Sequence, residues 1–186
     1  MADEVRRSRT MKTLRREMMD WLKTILLSLG LVLLLHYFVF NLSTVDGRSM
    51  EPTLAQDEWL FVNKIGYLLG SPGRGDVIVL KDPSGSEGKL RYLVKRIVGM
   101  PGDRVEIAGQ QLYINGELVD EPYTDSPIEG MNYGPEVIQQ GHFFVMGDNR
   151  HERASLDSRT FHAVPRELII GRAEAIVWPI PQLRLL

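Results

Sequence analysis

The hydrophobic pattern of the chain changes at about residue 40. Residues 21–40 read WLKTILLSLGLVLLLHYFVF, an almost unbroken apolar run. At 1.5 Å rise, twenty residues of helix span about 30 Å, the thickness of a hydrocarbon core, so this run is expected to cross a bilayer once. Trp21 at one end and Tyr37, Phe38 and Phe40 at the other stand where interfacial aromatics belong, and Lys23 can extend its amine to water. The preceding residues are polar and basic, with Arg6, Arg7, Arg9, Lys12, Arg15 and Arg16. Among them Met11, Leu14, Met18 and Leu22 recur at helical spacing behind Thr10, a residue type that caps helix starts. A short amphipathic helix and an unstructured basic tail both fit. The basic flank predicts a cytoplasmic N-terminus and places everything after Asn41 outside. A cleavable signal peptide has the same order, with Val45-Asp46-Gly47 as a passable cleavage site, and pattern alone leaves that alternative open.

Beyond the run the apolar period shortens towards two. Residues 59–64, 76–80 and 90–98 read as strands, the first two separated by a Gly/Pro-rich turn at 70–75. Two more follow at 104–107 and 111–114, and Asn115-Gly116 ahead of Leu118 is the two-residue turn of a hairpin. Residues 121–140 are rich in Pro and Gly without a period and are expected as an extended loop. Strands at 143–146 and 174–178 complete the set, with Trp178-Pro179-Ile180-Pro181 expected to pack against them. The predicted architecture is mostly β: a cytoplasmic basic segment (1–20), a single transmembrane helix (21–42) and an all-β extracytoplasmic domain (43–186).

Charge is divided unevenly under a formal net of −2: residues 1–24 hold 7 Lys/Arg and 4 Asp/Glu, or +3, and the rest hold 15 and 20, or −5. Such a domain does not suit nucleic acid. The absence of cysteine excludes disulfides, thiolate nucleophiles and Cys-based metal sites. No His-Glu-x-x-His occurs and the four histidines are scattered, so no metal or other cofactor is implied. Oligomeric state leaves no trace in the pattern.

Candidate chemistry centres on Gly47-Arg48-Ser49-Met50-Glu51-Pro52-Thr53-Leu54, a serine among turn formers just after the apolar run. A serine hydroxyl becomes a nucleophile only when a neighbouring base takes its proton. Lys95 is the candidate base: strand alternation puts it on one face with Leu93 and Ile97, where burial disfavours an ammonium and lowers the pKa from about 10.4. Each signal has an ordinary reading too, Ser49 as a turn residue and Lys95 as a solvated one.

Three runs occur in order: Ser-Met-x-Pro-Thr at Ser49, Lys-Arg-x-Val-Gly-x-Pro-Gly-Asp at Lys95, and Gly-Asp-Asn-Arg from Gly147 followed by Ser-x-Asp-Ser-Arg from Ser155. Together they resemble the type I signal peptidases, membrane-anchored Ser-Lys leader peptidases, over roughly residues 45–178 and the anchor before them. The resemblance implies a serine endopeptidase using Ser49 and Lys95. Its substrates would be exported preproteins, cleaved after small residues at the outer surface of the cytoplasmic membrane to remove their signal peptides. It further implies that Ser155 orients the Lys95 amine and that Asp157 with Arg159 braces the loop as an ion pair, with Asp148 and Arg150 as supports. Val45, Met50, Leu54, Leu93 and Val94 would line shallow pockets for small residues at the first and third positions before the cleaved bond. Two features depart from the family: four residues, not two, separate Arg150 from Ser155, and Gly47 replaces the hydroxyl residue that some members place two before the nucleophile. Only the Ser49 N–H is then carried over as an oxyanion donor.

Other readings remain at this stage. His142, His151 and His162 lie near Asp148 and Asp157, the raw material of a Ser-His-Asp hydrolase, although no Gly-x-Ser-x-Gly surrounds Ser49. LexA-like self-cleaving repressors share Ser-Lys chemistry but are soluble and need a DNA-binding module for which this chain has no room. A membrane-anchored β module that binds extracytoplasmic peptides would not depend on Ser49.

Overall fold

The computed structural model describes residues 2–85 and 91–186, and of 2–13, Tyr37, Leu68 and Leu69 the backbone alone. Leu90, at the head of the predicted lysine strand, and the side chains of Arg6, Arg7, Arg9, Thr10, Met11 and Lys12 lie outside the described residues. The chain forms two compact units, Met1–Val39 and Phe40–Leu186.

The first unit is one helix, α1 (Ala2–Phe38), of 37 residues. Arg, Lys, Glu, Met and Leu dominate its first half and favour helix. Thr10 consequently lies inside the helix and not at its start. Within it Leu14–His36, 23 residues, is long and apolar enough to cross a membrane, and Leu22, Ile25, Leu26 and Leu27 are exposed.

The second unit is mostly β: β1 (Phe40–Thr44), β2 (Trp59–Asn63), β3 (Val77–Lys81), β4 (Tyr92–Gly99), β5 (Arg104–Ala108), β6 (Gln111–Ile114), β7 (Glu117–Leu118), β8 (Tyr133–Val137), β9 (His142–Met146), β10 (Val164–Pro165), β11 (Ile169–Trp178) and β12 (Arg184–Leu185). Among the described residues they form an eight-stranded sheet in the order β1-β2-β11-β3-β4-β9-β10, with β12 beside β11, and a four-stranded sheet in the order β7-β6-β5-β8. The pairs whose register is given are antiparallel, β1 with β2 and β3 with β4 among them.

Alternation along β3 shows how the sheet separates two cores. Val77 and Val79 join Val45, Met50, Leu54, Leu60, Val62, Ala173 and Ile176, whereas Ile78 and Leu80 join Leu93, Ile97, Phe143 and Val145. Phe144 and Met146 of β9 point the other way, into a third cluster with Val98, Val105, Ile107, Leu112 and Ile114 that ties the smaller sheet to the larger. Gly99 makes this junction possible: a Cβ there would come within 2.7 Å of Val105 and 2.8 Å of Phe144.

Strand β1 begins at Phe40, the last residue of the apolar run, and pairs Phe40, Asn41 and Leu42 with Asn63, Val62 and Phe61. β8 lies within the expected loop at 121–140, its pattern masked by Gly134 and Pro135; a proline is tolerated there because β8 is a sheet edge. Trp178 and Ile180 leave 52% and 67% of their surface exposed, so that segment is not packed into the core as its sequence suggests.

Candidate active site

Ser49 lies in the β1–β2 connection, in a helical turn closed by Glu51 N donating to Arg48 O at 3.2 Å and Leu54 N donating to Met50 O at 2.9 Å. The turn's underside is apolar: Met50 and Leu54 are buried beside Val45. Gly47 enters the turn at φ +96°, a conformation that glycine adopts without the strain of a Cβ. Lys95 comes from β4 and is 2% exposed. Its Nζ donates to Ser49 Oγ at 2.7 Å and to the Val94 carbonyl at 2.7 Å. Burial foremost, aided by the positive charge of Arg91, lowers the Lys95 pKa to about 8 against the opposing pull of Asp157, Asp148 and Asp82.

The loop after β9 clamps this turn. Asn149 N donates to Ser49 O at 3.1 Å and Asn149 Nδ2 to Arg48 O at 3.0 Å. Asp148, fully buried, accepts from Thr53 Oγ1 at 2.5 Å and from both Arg96 Nε and Nη2, at 2.9 and 2.6 Å. Arg96 also donates to Gly75 O at 2.7 Å and lies 4.0 Å over the Tyr123 ring. Asp157 accepts from Gly147 N at 3.2 Å and from Arg159 Nε and Nη2, both at 2.9 Å. Arg150 is wholly buried: Nε donates to Gly147 O at 2.8 Å, and its two terminal nitrogens bind the Glu121 carboxylate at 2.6 Å each. Asp148, Asn149, Arg150 and Asp157 are thus used either on the Ser49 turn or on the loop's own support.

Ser155 Oγ is buried without a hydrogen-bond partner. It lies beside Gly147, where a Cβ would fall on both the Ser155 hydroxyl and the Ser49 carbonyl. The Lys95 amine is directed instead to Val94 O and Ser49 Oγ. The loop at 151–154 is tied to Glu129, which contacts His151 Nδ1 at 3.0 Å and accepts from Glu152 N at 3.0 Å. His142 contacts Gln140 O at 3.1 Å and His162 contacts Tyr133 Oη at 3.1 Å, so the three histidines have other partners than Ser49. Val94 packs against the core that holds Val45, Met50 and Leu54, whereas Leu93 belongs to the core on the opposite face of β4. Among the described residues no group of three or more His, Cys, Asp or Glu could hold a metal ion.

Sequence reading singled out neither Arg96, Thr53, Asn149 nor Glu121. Arg96 stands second in the Lys-Arg-x-Val-Gly run, which was the available signal, but its partner Asp148 is 52 residues away.

Residues 18–178 match the family described as signal peptidase, peptidase S26. The chain belongs to that family. Signal peptidase I P of Bacillus subtilis subsp. natto is 37% identical over 184 residues, 93% of this chain and 96% of the relative. The probable signal peptidase I-2 of Synechocystis is 36% identical over 166 residues, 88% of this chain and 75% of the relative. A crystal structure of a signal peptidase I from Enterococcus faecalis gives a TM-score of 0.46 at 27% identity, covering 55% of this chain and 97% of that one. In this signal peptidase the matched span takes in most of the apolar helix, the Ser49 turn, Lys95 and the clamping loop.

Proposed function

We propose that this signal peptidase cleaves the signal peptides of exported preproteins with a Ser49–Lys95 dyad, on a domain anchored by α1 at the outer surface of the cytoplasmic membrane. The observation that carries the reading is a lysine 2% exposed with its Nζ 2.7 Å from a serine hydroxyl. In its neutral form Lys95 offers a lone pair to the Ser49 hydroxyl proton. Ser49 Oγ then attacks the scissile carbonyl, the lysine becomes an ammonium, and the Ser49 N–H lies next to the developing oxyanion. Collapse passes a proton from Lys95 to the leaving amine and leaves a peptide ester on Ser49. A water deprotonated by the same amine hydrolyses the ester.

The clamp on the carbonyls of Arg48 and Ser49 supports this role, because a nucleophile misplaced by 1 Å can lose about 10²-fold in rate. By resemblance Asp157, Arg159, Asp148 and Arg150 serve as supports; Ser155 Oγ, buried without a hydrogen-bond partner, is not bonded to the Lys95 amine. Val45, Met50, Leu54 and Val94, gathered on one face of β4, would form the floor under a small substrate residue.

Cleavage of a fluorogenic signal-sequence peptide in detergent tests the proposal. Ser49→Ala and Lys95→Ala are expected to lose activity by at least about 10³-fold, while a His142/His151/His162 triple alanine variant keeps most of it. The wild-type rate should climb with pH through about 8 as Lys95 loses its proton. A rate limb near 6.5, the histidine range, or activity without Ser49, would refute the dyad.

A further inference from the structure

The family match ends at residue 178, and residues 179–186 have so far been given no part in the site. They turn back through a helical turn at Ile180–Gln182 into β12, which pairs with β11 through Ile176↔Arg184 and Ala175↔Leu185. Leu186 N adds a bond to Glu174 O at 2.9 Å. This register delivers Arg184 to the nucleophile turn, where its Nη2 donates to Thr53 O at 2.5 Å.

Thr53 is four residues after Ser49 in that same turn, and its hydroxyl is bound to Asp148. The turn is thereby held from two directions: the Asn149 loop takes the carbonyls of Arg48 and Ser49, and Arg184 takes the carbonyl at the far end. Ile180, Leu183 and Leu185 are 67%, 66% and 83% exposed. Burial therefore does little to place the segment; two strand pairs and the arginine do. The Arg184 contact opposes a pivot of the turn about the Asn149 contacts, which would carry Ser49 Oγ away from Lys95.

We propose that Arg184 is a positioning residue for catalysis, which through the Thr53 carbonyl fixes the far end of the Ser49 turn. The proposal rests on the Ser49–Lys95 reading. Its effect should fall on the chemical step, since Arg184 contacts a carbonyl of the turn and none of the reacting atoms.

The test is steady-state and single-turnover cleavage of the same peptide by full-length wild type, Arg184→Ala and Arg184→Lys, with thermal melts of each. Arg184→Ala is expected to lower kcat and the single-turnover rate by about 10-fold with KM within about twofold, and Arg184→Lys, which can still donate to Thr53 O, to recover most of it. Unchanged kcat in Arg184→Ala overturns the proposal. So does a raised KM at unchanged kcat, which would make Arg184 a substrate contact, or a loss that tracks the unfolded fraction and is not recovered by lysine. Ser49→Ala and Lys95→Ala run alongside: activity retained there removes the dyad itself, whereas activity lost there and normal in Arg184→Ala removes only the brace.

Discussion

Lys95 sits in the fold against its own preference for water. The unfolded chain holds the lysine proton up to about pH 10.4, the folded chain only to about 8. Between these values the unfolded state binds more protons, so this group makes stability rise with pH, and below 8 its burial is a steady penalty. Lys95→Met, similar in length and apolar, should therefore be inactive yet more stable at pH 7 by about 1–3 kcal/mol, with the gain shrinking as pH approaches 10.4. Thermal melts of both proteins at pH 7 and pH 10 check the sign. Ser49 and Lys95 were picked out by three motif runs in order, since a turn serine and a strand lysine each have an ordinary reading alone; the fold brings their side chains to 2.7 Å. Arg96 was not singled out, since alternation turns it away from Lys95 and gives no hint of Asp148. The motif match names Ser155, but its hydroxyl is buried without a hydrogen-bond partner.

The hairpin strands were legible because period and turn chemistry agree: Asn115 at φ +57° and Gly116 at φ +87° form the two-residue turn that joins β6 to β7. β8 and β12 were not, because a short edge strand needs no alternating pattern of its own. What lies between β7 and β8 carries a second lesson. Glu121, at the start of the supposed loop, forms the two-pronged partner of Arg150, with side chains 9% and 0% exposed. Glu121→Ala would strand a buried guanidinium and is expected to destabilise the domain by about 3–5 kcal/mol, whereas Glu121→Leu combined with Arg150→Met should cost distinctly less. Chemical denaturation of the two variants separates these outcomes. The cleft of about 500 Å³ bordered by Glu121, Arg150 and Leu118 lies beside this pair, away from Ser49.

At the scale of the molecule the unbroken apolar run and the change of period announced one helix followed by a β domain. The strand order did not show, because β11 lies between β2 and β3 only through contacts about 90 to 120 residues apart in sequence. The proposed orientation has a direct measurement. With no native cysteine, single thiols placed at Ala2→Cys and Glu117→Cys are unique labels. A membrane-impermeant maleimide applied to intact cells should modify the second and spare the first. Labelling of position 2 alone would invert the topology. The clamp also imposes an order in time. A ribosome that has made residues 1–100 has already supplied both Ser49 and Lys95, but the contacts that fix the Ser49 turn come from Asp148, Asn149 and Arg184. On the proposed dyad, a half-synthesised copy would own the reactive groups without the frame that aligns them, and is expected to be inert until that frame has emerged.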